Sequence, residues 1–130
     1  MRIGSILENQ KIEKRISITP EIAKKYISLG FEISLSKNYG SHLGIIDNDY
    51  TNLGVKILKD DNEIISNSDL LIQLGLLSDE KCSIIKENQI LIGIFNPYNN
   101  KNKLENLIKK NIKIFSLELL PRITRAQSMD

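Results

Sequence analysis

The densest set of groups able to do chemistry is the stretch Pro121-Arg122-Ile123-Thr124-Arg125-Ala126-Gln127-Ser128-Met129-Asp130. It brings together two guanidiniums, a carboxamide, two hydroxyls and a carboxylate, a set able to hydrogen-bond a ribose and the carboxamide of a nicotinamide. It follows the C-terminal end of a predicted parallel strand, the place where open α/β sheets put their ligand sites. The plainer reading is a polar interdomain loop leading into a helix capped by Ser128 or Asp130. Side-chain chemistry by itself leaves both readings open.

The other candidates read as structural. His42, the only histidine, stands in a predicted loop without a second imidazole or a thiol cluster, so a zinc site or a Ser-His-Asp triad has little support. Asp47-Asn48-Asp49 and Asp60-Asp61 could suggest a metal, yet both stand where helices begin and carboxylates cap free N–H groups. Arg15 could clamp a carboxylate or phosphate; its spacing favours a surface pair with Glu13. No G-x-G-x-x-G or Walker A spacing occurs, and Leu7 to Lys11 lacks a hydroxyl-rich phosphate loop.

Composition narrows the partners. A formal net charge of +2 arises from Lys and Arg scattered among Asp and Glu, with no electrostatic footprint for nucleic acid or anionic lipid. The densest basic group, Lys109, Lys110 and Lys113, falls near a helix end, where cations complement the dipole. Cys82 is the only cysteine, so its expected role is packing, and a reducing cytosol fits best. The start, Met1-Arg2-Ile3-Gly4, enters a strand directly and lacks the apolar core of an export signal. The longest apolar run, Ile90 to Phe95, is far short of the roughly 20 residues that span a bilayer. The excess of Ile, Asn and Lys touches every segment and carries no functional weight.

These candidates must be positioned by elements that alternate β-rich runs with helical spacing, the pattern of βαβ units. Strands are predicted at Arg2 to Ile6, Glu32 to Ser36, Val55 to Leu58, Asp69 to Leu74, Gln89 to Phe95 and Ile112 to Leu117. Thr19-Pro20-Glu21 opens the first helix, with Thr19 as N-cap and Pro20 at the first helical position, and Gly30 ends it. Helices follow at Asp47 to Leu53, Asp61 to Ile65, from Ser78 or Asp79 to Ile85, and Lys101 to Lys110 with Leu104, Leu107 and Ile108 inward. The expected fold is α/β, a flavodoxin-like or Rossmann-like doubly wound, mostly parallel sheet with helices on both faces.

Pro121 to Asp130 resembles, over ten consecutive positions, the Pro-Arg-Ile-Ser/Thr-Arg-Ala-Gln-Ser-Met/Leu-Asp motif of the proton-translocating NAD(P) transhydrogenase α subunit. Met1-Arg2-Ile3-Gly4, Arg15 to Pro20 (against Arg-Val-Ala-Leu-Thr-Pro), Gly30-Phe31-Glu32 and Asp47 to Tyr50 extend the resemblance. The same N-terminal module is shared with alanine dehydrogenases and, more distantly, with saccharopine dehydrogenases. Alanine dehydrogenases resembling this chain carry a substrate-binding lysine after the fourth strand and a histidine after the fifth; Gly75 and Asn96 occupy those positions here. Arg15 remains without these partners. A further departure is Asn38-Tyr39-Gly40 in place of Gly-Ala-Gly.

The resemblance implies an N-terminal α/β domain over 1–120, with 121–130 beginning a nicotinamide-contacting loop that leads to an NAD-binding domain carrying a dinucleotide fingerprint. It implies cofactor contacts from Arg122, Gln127 and Asp130 to the nicotinamide and its ribose, with Ile123, Thr124, Ser128 and Met129 as the adjoining wall. No acid, base, nucleophile or metal is assigned. NAD(H) is the implied cofactor of this component and NADP(H) that of a partner. The implied partners are the rest of the α subunit, the β subunit with its NADP-binding domain, and a second copy in a homodimer. Nucleic acid is not implied; the location is the cytoplasmic side of the inner membrane, with membrane contact only through other parts. The chain alone is expected to be catalytically silent. The alternatives are the N-terminal domain of an alanine dehydrogenase or related amino-acid dehydrogenase and a non-enzymatic flavodoxin-like binding module; a receiver is disfavoured because Glu8 stands alone and Gln73-Leu74-Gly75 fills a later candidate position.

Overall fold

The computed structural model describes residues 1–117. β1 (Arg2–Ser5), β2 (Glu32–Ser36), β3 (Lys56–Leu58), β4 (Leu70–Ile72), β5 (Ile90–Gly93) and β6 (Lys113–Ser116) alternate with α1 (Pro20–Ser28), α2 (Asp47–Thr51), α3 (Asp61–Asn67), α4 (Asp79–Cys82) and α5 (Lys101–Lys109). The sheet order is β3-β2-β1-β4-β5-β6, and every pairing is parallel. That order is the Rossmann arrangement, with the direction of winding reversing between β1 and β4. The flavodoxin order is thereby set aside.

Local chemistry accounts for the element boundaries. Thr19 Oγ1 accepts from the Ile22 N–H at 3.3 Å, and Pro20 stands at the first helical position of α1. Gly30 follows the helix with φ +96°, which a Cβ would disfavour. Asn38, Asn88, Asn96 and Asn111 also take positive φ, so the asparagine-rich composition supplies turn residues that tolerate left-handed backbone. Asp47 holds the first of these turns, accepting from the Asn38 N–H at 3.0 and 3.1 Å.

Two apolar layers clamp the sheet. Ile3, Ile33 and Leu35 meet Ala23 of α1 and Tyr50 of α2 on one face. Leu71 and Leu91 meet Ile64 and Ile65 of α3, Cys82 of α4, and Leu104 and Leu107 of α5 on the other. Ile64 and Ile65 are fully buried, and each contributes about 1.5–3 kcal/mol by leaving water. At Gly4 a Cβ would run into Ser68 Oγ and lie 2.8 Å from Ile64 Cγ2, so the missing side chain lets α3 lie against β1.

Several expectations are corrected. Ile108 is 59% exposed, because the inward stripe of α5 is satisfied by Leu104 and Leu107. α4 ends at Cys82, with Ile85 buried in the turn beyond it. β4 and β5 are shorter than their apolar runs: Gln73, Leu74, Ile94 and Phe95 lie past the paired strands, and Ile94 and Phe95 line a crevice there. Among the described residues no helix is long and apolar enough to cross a membrane.

Candidate functional site

The reversal between β1 and β4 opens a crevice at the C-terminal edge of the sheet, where doubly wound folds bind ligands. It is about 310 Å³ in volume and is lined by Glu8, Gly75, Leu76, Phe95, Asn96 and Lys103, among others. Glu8 joins this lining to a polar network built on Gln73, which is 1% exposed. Gln73 Oε1 accepts from the Ile6 N–H at 2.7 Å, and Nε2 donates to the Ile6 carbonyl at 3.1 Å. Those two bonds fix the orientation of the carboxamide and leave one Nε2 proton for Glu8, whose Oε2 accepts it at 2.9 Å.

Glu8 closes the network at the end of β4. Oε2 also accepts from the Leu74 N–H at 2.7 Å, and Oε1 accepts from the Gly75 N–H at 3.0 Å. Burial pushes the Glu8 carboxyl above its ordinary range, against the opposing pull of the Leu74 and Gly75 amides.

The loop between β1 and α1 is fastened by residues from distant elements. Leu7 N–H donates to Ser36 Oγ at 3.0 Å, and Ser36 donates to Asp61 at 2.7 Å. Tyr39 is fully buried; its oxygen accepts from the Ser17 and Ile18 N–H groups at 3.1 and 3.2 Å. It also lies 2.9 Å from Ser5 Oγ. Ser5 gives its single proton to the Ile72 carbonyl at 2.6 Å, so Tyr39 is the donor to Ser5. Burial accordingly raises the Tyr39 pKa. Tyr50 donates to the Ile18 carbonyl at 2.7 Å and packs edge-on against Tyr39.

The candidates read from the sequence divide clearly. Gly75 and Asn96 are brought together in the crevice lining, although they are far apart in sequence. Arg15 is not among these lining residues; its Nε and Nη2 donate to Glu13 at 2.8 Å each, the surface pair expected from the spacing. The Arg15 guanidinium holds Glu13 down to about 2. His42 Nε2 donates to the Lys14 carbonyl at 2.7 Å, with Nδ1 3.2 Å from the Gln10 amide, a loop-packing role. Asp49 accepts from the Ile46 N–H and Asp60 from the Asn62 N–H, both as caps, whereas Asp61 holds Ser36 instead. Cys82 is buried and donates to the Leu77 carbonyl at 3.5 Å, and burial raises its thiol pKa.

Arg122, Ile123, Thr124, Gln127, Ser128, Met129 and Asp130 lie outside the described residues. β6 runs parallel to β5, so its last residue, Ser116, is at the same sheet edge as the crevice. Sequence reasoning missed Glu8, Gln73, Ser5 and Tyr39. The available signal was polarity at strand positions: Ser5 and Gln73 interrupt apolar runs, and a buried polar side chain requires partners.

Comparison with known proteins gives a consistent family. Residues 5–130 match the family described as alanine dehydrogenase/PNT, N-terminal domain. In Rickettsia prowazekii, the protein named as the first part of NAD(P) transhydrogenase subunit alpha is 35% identical over 134 aligned residues, covering 100% of this chain and 35% of that protein. The protein of the same name from Rhodospirillum rubrum is 33% identical, again covering 100% of this chain and 35% of its own length. A crystal structure of transhydrogenase from Sinorhizobium meliloti superposes with a TM-score of 0.88 at 28% identity, over 100% of this chain and 39% of that one. The chain spans about a third of the length of these relatives. With its Rossmann sheet order and a family match over nearly its whole length, the chain belongs to the alanine dehydrogenase/PNT N-terminal domain family.

Proposed function

We propose that this chain is the N-terminal part of the NAD(H)-binding component of a proton-translocating NAD(P) transhydrogenase. In that reading the complete enzyme moves hydride between NAD(H) and NADP(H) and couples the transfer to proton passage through a membrane domain. The observation that carries it over an amino-acid dehydrogenase is the state of the crevice. Its three ionisable lining residues, Glu8, Glu13 and Lys103, are all engaged internally. Glu8 binds the end of β4, Glu13 binds Arg15, and Lys103 pairs with Asp79 at 3.1 Å. Gly75 and Asn96 supply neither a cation for a substrate carboxylate nor an imidazole for proton transfer.

The domain's own task is then to position. Arg122, Gln127 and Asp130 contact the nicotinamide and its ribose, and Ile123, Thr124, Ser128 and Met129 form the adjoining wall. The parallel direction of β6 supports this by leading the chain toward the ligand edge of the sheet. Nicotinamide supplies the hydride chemistry, and the protein holds it against the second nucleotide. NADP(H) belongs to a partner component carried by the β subunit; the NAD(H)-binding component pairs as a homodimer on the cytoplasmic side of the membrane.

The test is made in the complete subunit combined with the NADP-binding component. Arg122→Ala and Gln127→Ala are expected to weaken NADH binding and slow hydride transfer to an NADP analogue. Unchanged affinity and unchanged transfer would remove the assignments. Pyruvate- and ammonia-dependent NADH oxidation by the wild-type protein would favour the amino-acid dehydrogenase reading instead.

A further inference from the structure

We infer that the face of β5 and β6 on the α1 side of the sheet is a docking surface for one amphipathic helix with an aliphatic stripe, supplied by polypeptide of the same subunit beyond residue 130. The register sets Ile3, Leu70, Ile90 and Lys113 side by side in one row, and Ile72, Ile92 and Phe115 in the next. Residues paired in this way share a face of the sheet. Along these rows the packing gives out. Ile3 is buried in the layer that α1 and α2 close, and Leu70 and Ile72 pack against it, but Ile90 and Ile92 belong to neither apolar layer. Phe115 is 52% exposed, and Leu117, just past β6, is 48% exposed.

The winding of the chain leaves this face bare. Right-handed crossovers put their helices on one face while the strands advance from β1 to β3, and on the opposite face once they return and advance from β4 to β6. Accordingly α1 lies on β2 and α2 on β3, whereas α3, α4 and α5 all contribute to the other layer. Among the described residues no helix covers β5 and β6 on the α1 side. All-parallel sheets are covered on both faces, so the cover comes from outside residues 1–117.

The dimensions and chemistry of the face define its occupant. Two strands about 5 Å apart present a strip about 10 Å wide, the diameter of one α-helix. Ile90–Gly93 of β5 extends about 13 Å, the length of roughly nine helical residues. Ile90, Ile92 and Phe115 suit aliphatic side chains three and four positions apart on that helix. Lys113 is exposed at the N-terminal end of the same face, with no ion pair among the described residues. It suits a carboxylate or a helix C-terminus above it. A second copy of the chain would offer a sheet instead of a helix and would bring two Lys113 side chains into one apolar seam. The same subunit is the source because this chain spans only about a third of the length of relatives that match all of it; this step rests on the reading of the chain as the N-terminal part of an α subunit.

The experiment is photo-crosslinking in the complete subunit from Phe115→p-benzoylphenylalanine, with the joined peptide identified by mass spectrometry. The expected partner is a peptide of the same polypeptide beyond residue 130 with aliphatic residues three and four apart. A second readout is maleimide labelling of Phe115→Cys. It is expected to be fast in the 130-residue chain and slower by roughly tenfold or more in the complete subunit, where access waits on opening of the docked helix. A crosslink that joins two copies or lands on a different component, no crosslink at all, or equal labelling of the two proteins would overturn the inference. Neither readout involves a nicotinamide, so the covered face and the transhydrogenase proposal can each fail while the other stands.

Discussion

Replacing Tyr39 by Phe removes one oxygen and keeps the ring that fills the core beside Tyr50. The lost oxygen is the acceptor for two backbone donors, Ser17 N–H and Ile18 N–H, and the donor to Ser5 Oγ. Ile18 is fully buried, so water does not readily replace the partner. Each buried donor left unpaired costs about 1–3 kcal/mol. Two such donors give about 2–6 kcal/mol, and because the folded state no longer buries a hydroxyl the expected net loss is about 2–4 kcal/mol. With a urea m value of about 2 kcal/mol/M, the unfolding midpoint should fall by about 1–2 M with m unchanged. Hydrogen exchange should accelerate at the Ser17 and Ile18 amides in particular. Tyr50→Phe is the matched control: it deprives only the Ile18 carbonyl, and an under-satisfied acceptor is tolerated better than an orphaned donor. A loss below about 0.5 kcal/mol for Tyr39→Phe, with exchange at the two amides unchanged, would refute the claim that this hydroxyl fastens the loop.

Two glycines should respond oppositely to alanine. Gly4→Ala drives a methyl into Ser68 Oγ and Ile64 on α3 and should cost about 1–3 kcal/mol by overpacking, whereas Gly75→Ala meets only Glu8 Oε1 at 3.5 Å and should stay within about 0.5 kcal/mol; thermal melts of both variants separate the two cases. Glu8 should make a pH-dependent contribution of unusual sign. Its folded pKa is raised above 4.5, so between that value and the raised one the folded state retains a proton that the unfolded state has lost, and stability from this group falls as pH rises through that window. Urea unfolding of wild type and Glu8→Gln from pH 4 upward isolates it. The stability difference, wild type minus variant, should decline with pH, and a difference that grows would contradict the burial argument. Glu13, held down to about 2 by Arg15, has the opposite sign and is present in both proteins; its repulsion of Glu8 is part of the difference that is read.

What could be read from the amino-acid order was whatever short-range chemistry dictates. Thr19-Pro20 starts α1 because a hydroxyl acceptor and a fixed φ act within one turn. Glu32–Ser36 forms a strand through its own pattern, and the pairing of Arg15 with Glu13 spans two residues. The ten-residue resemblance at 121–130 likewise lies in one continuous stretch. Tertiary structure decided the rest, because the deciding contacts join residues that no local pattern connects. Glu8 meets Leu74 and Gly75 across 66 and 67 positions, and Ser5 meets Ile72 across 67. Asp61 appeared to be a cap until the fold set it beside Ser36. Ile108 matched the helical stripe, yet α5 is a peripheral helix that needs only Leu104 and Leu107 to cover its part of the sheet. The choice between flavodoxin and Rossmann winding also waited on the sheet, since strand order is a property of pairing and leaves no mark on the pattern of any single strand.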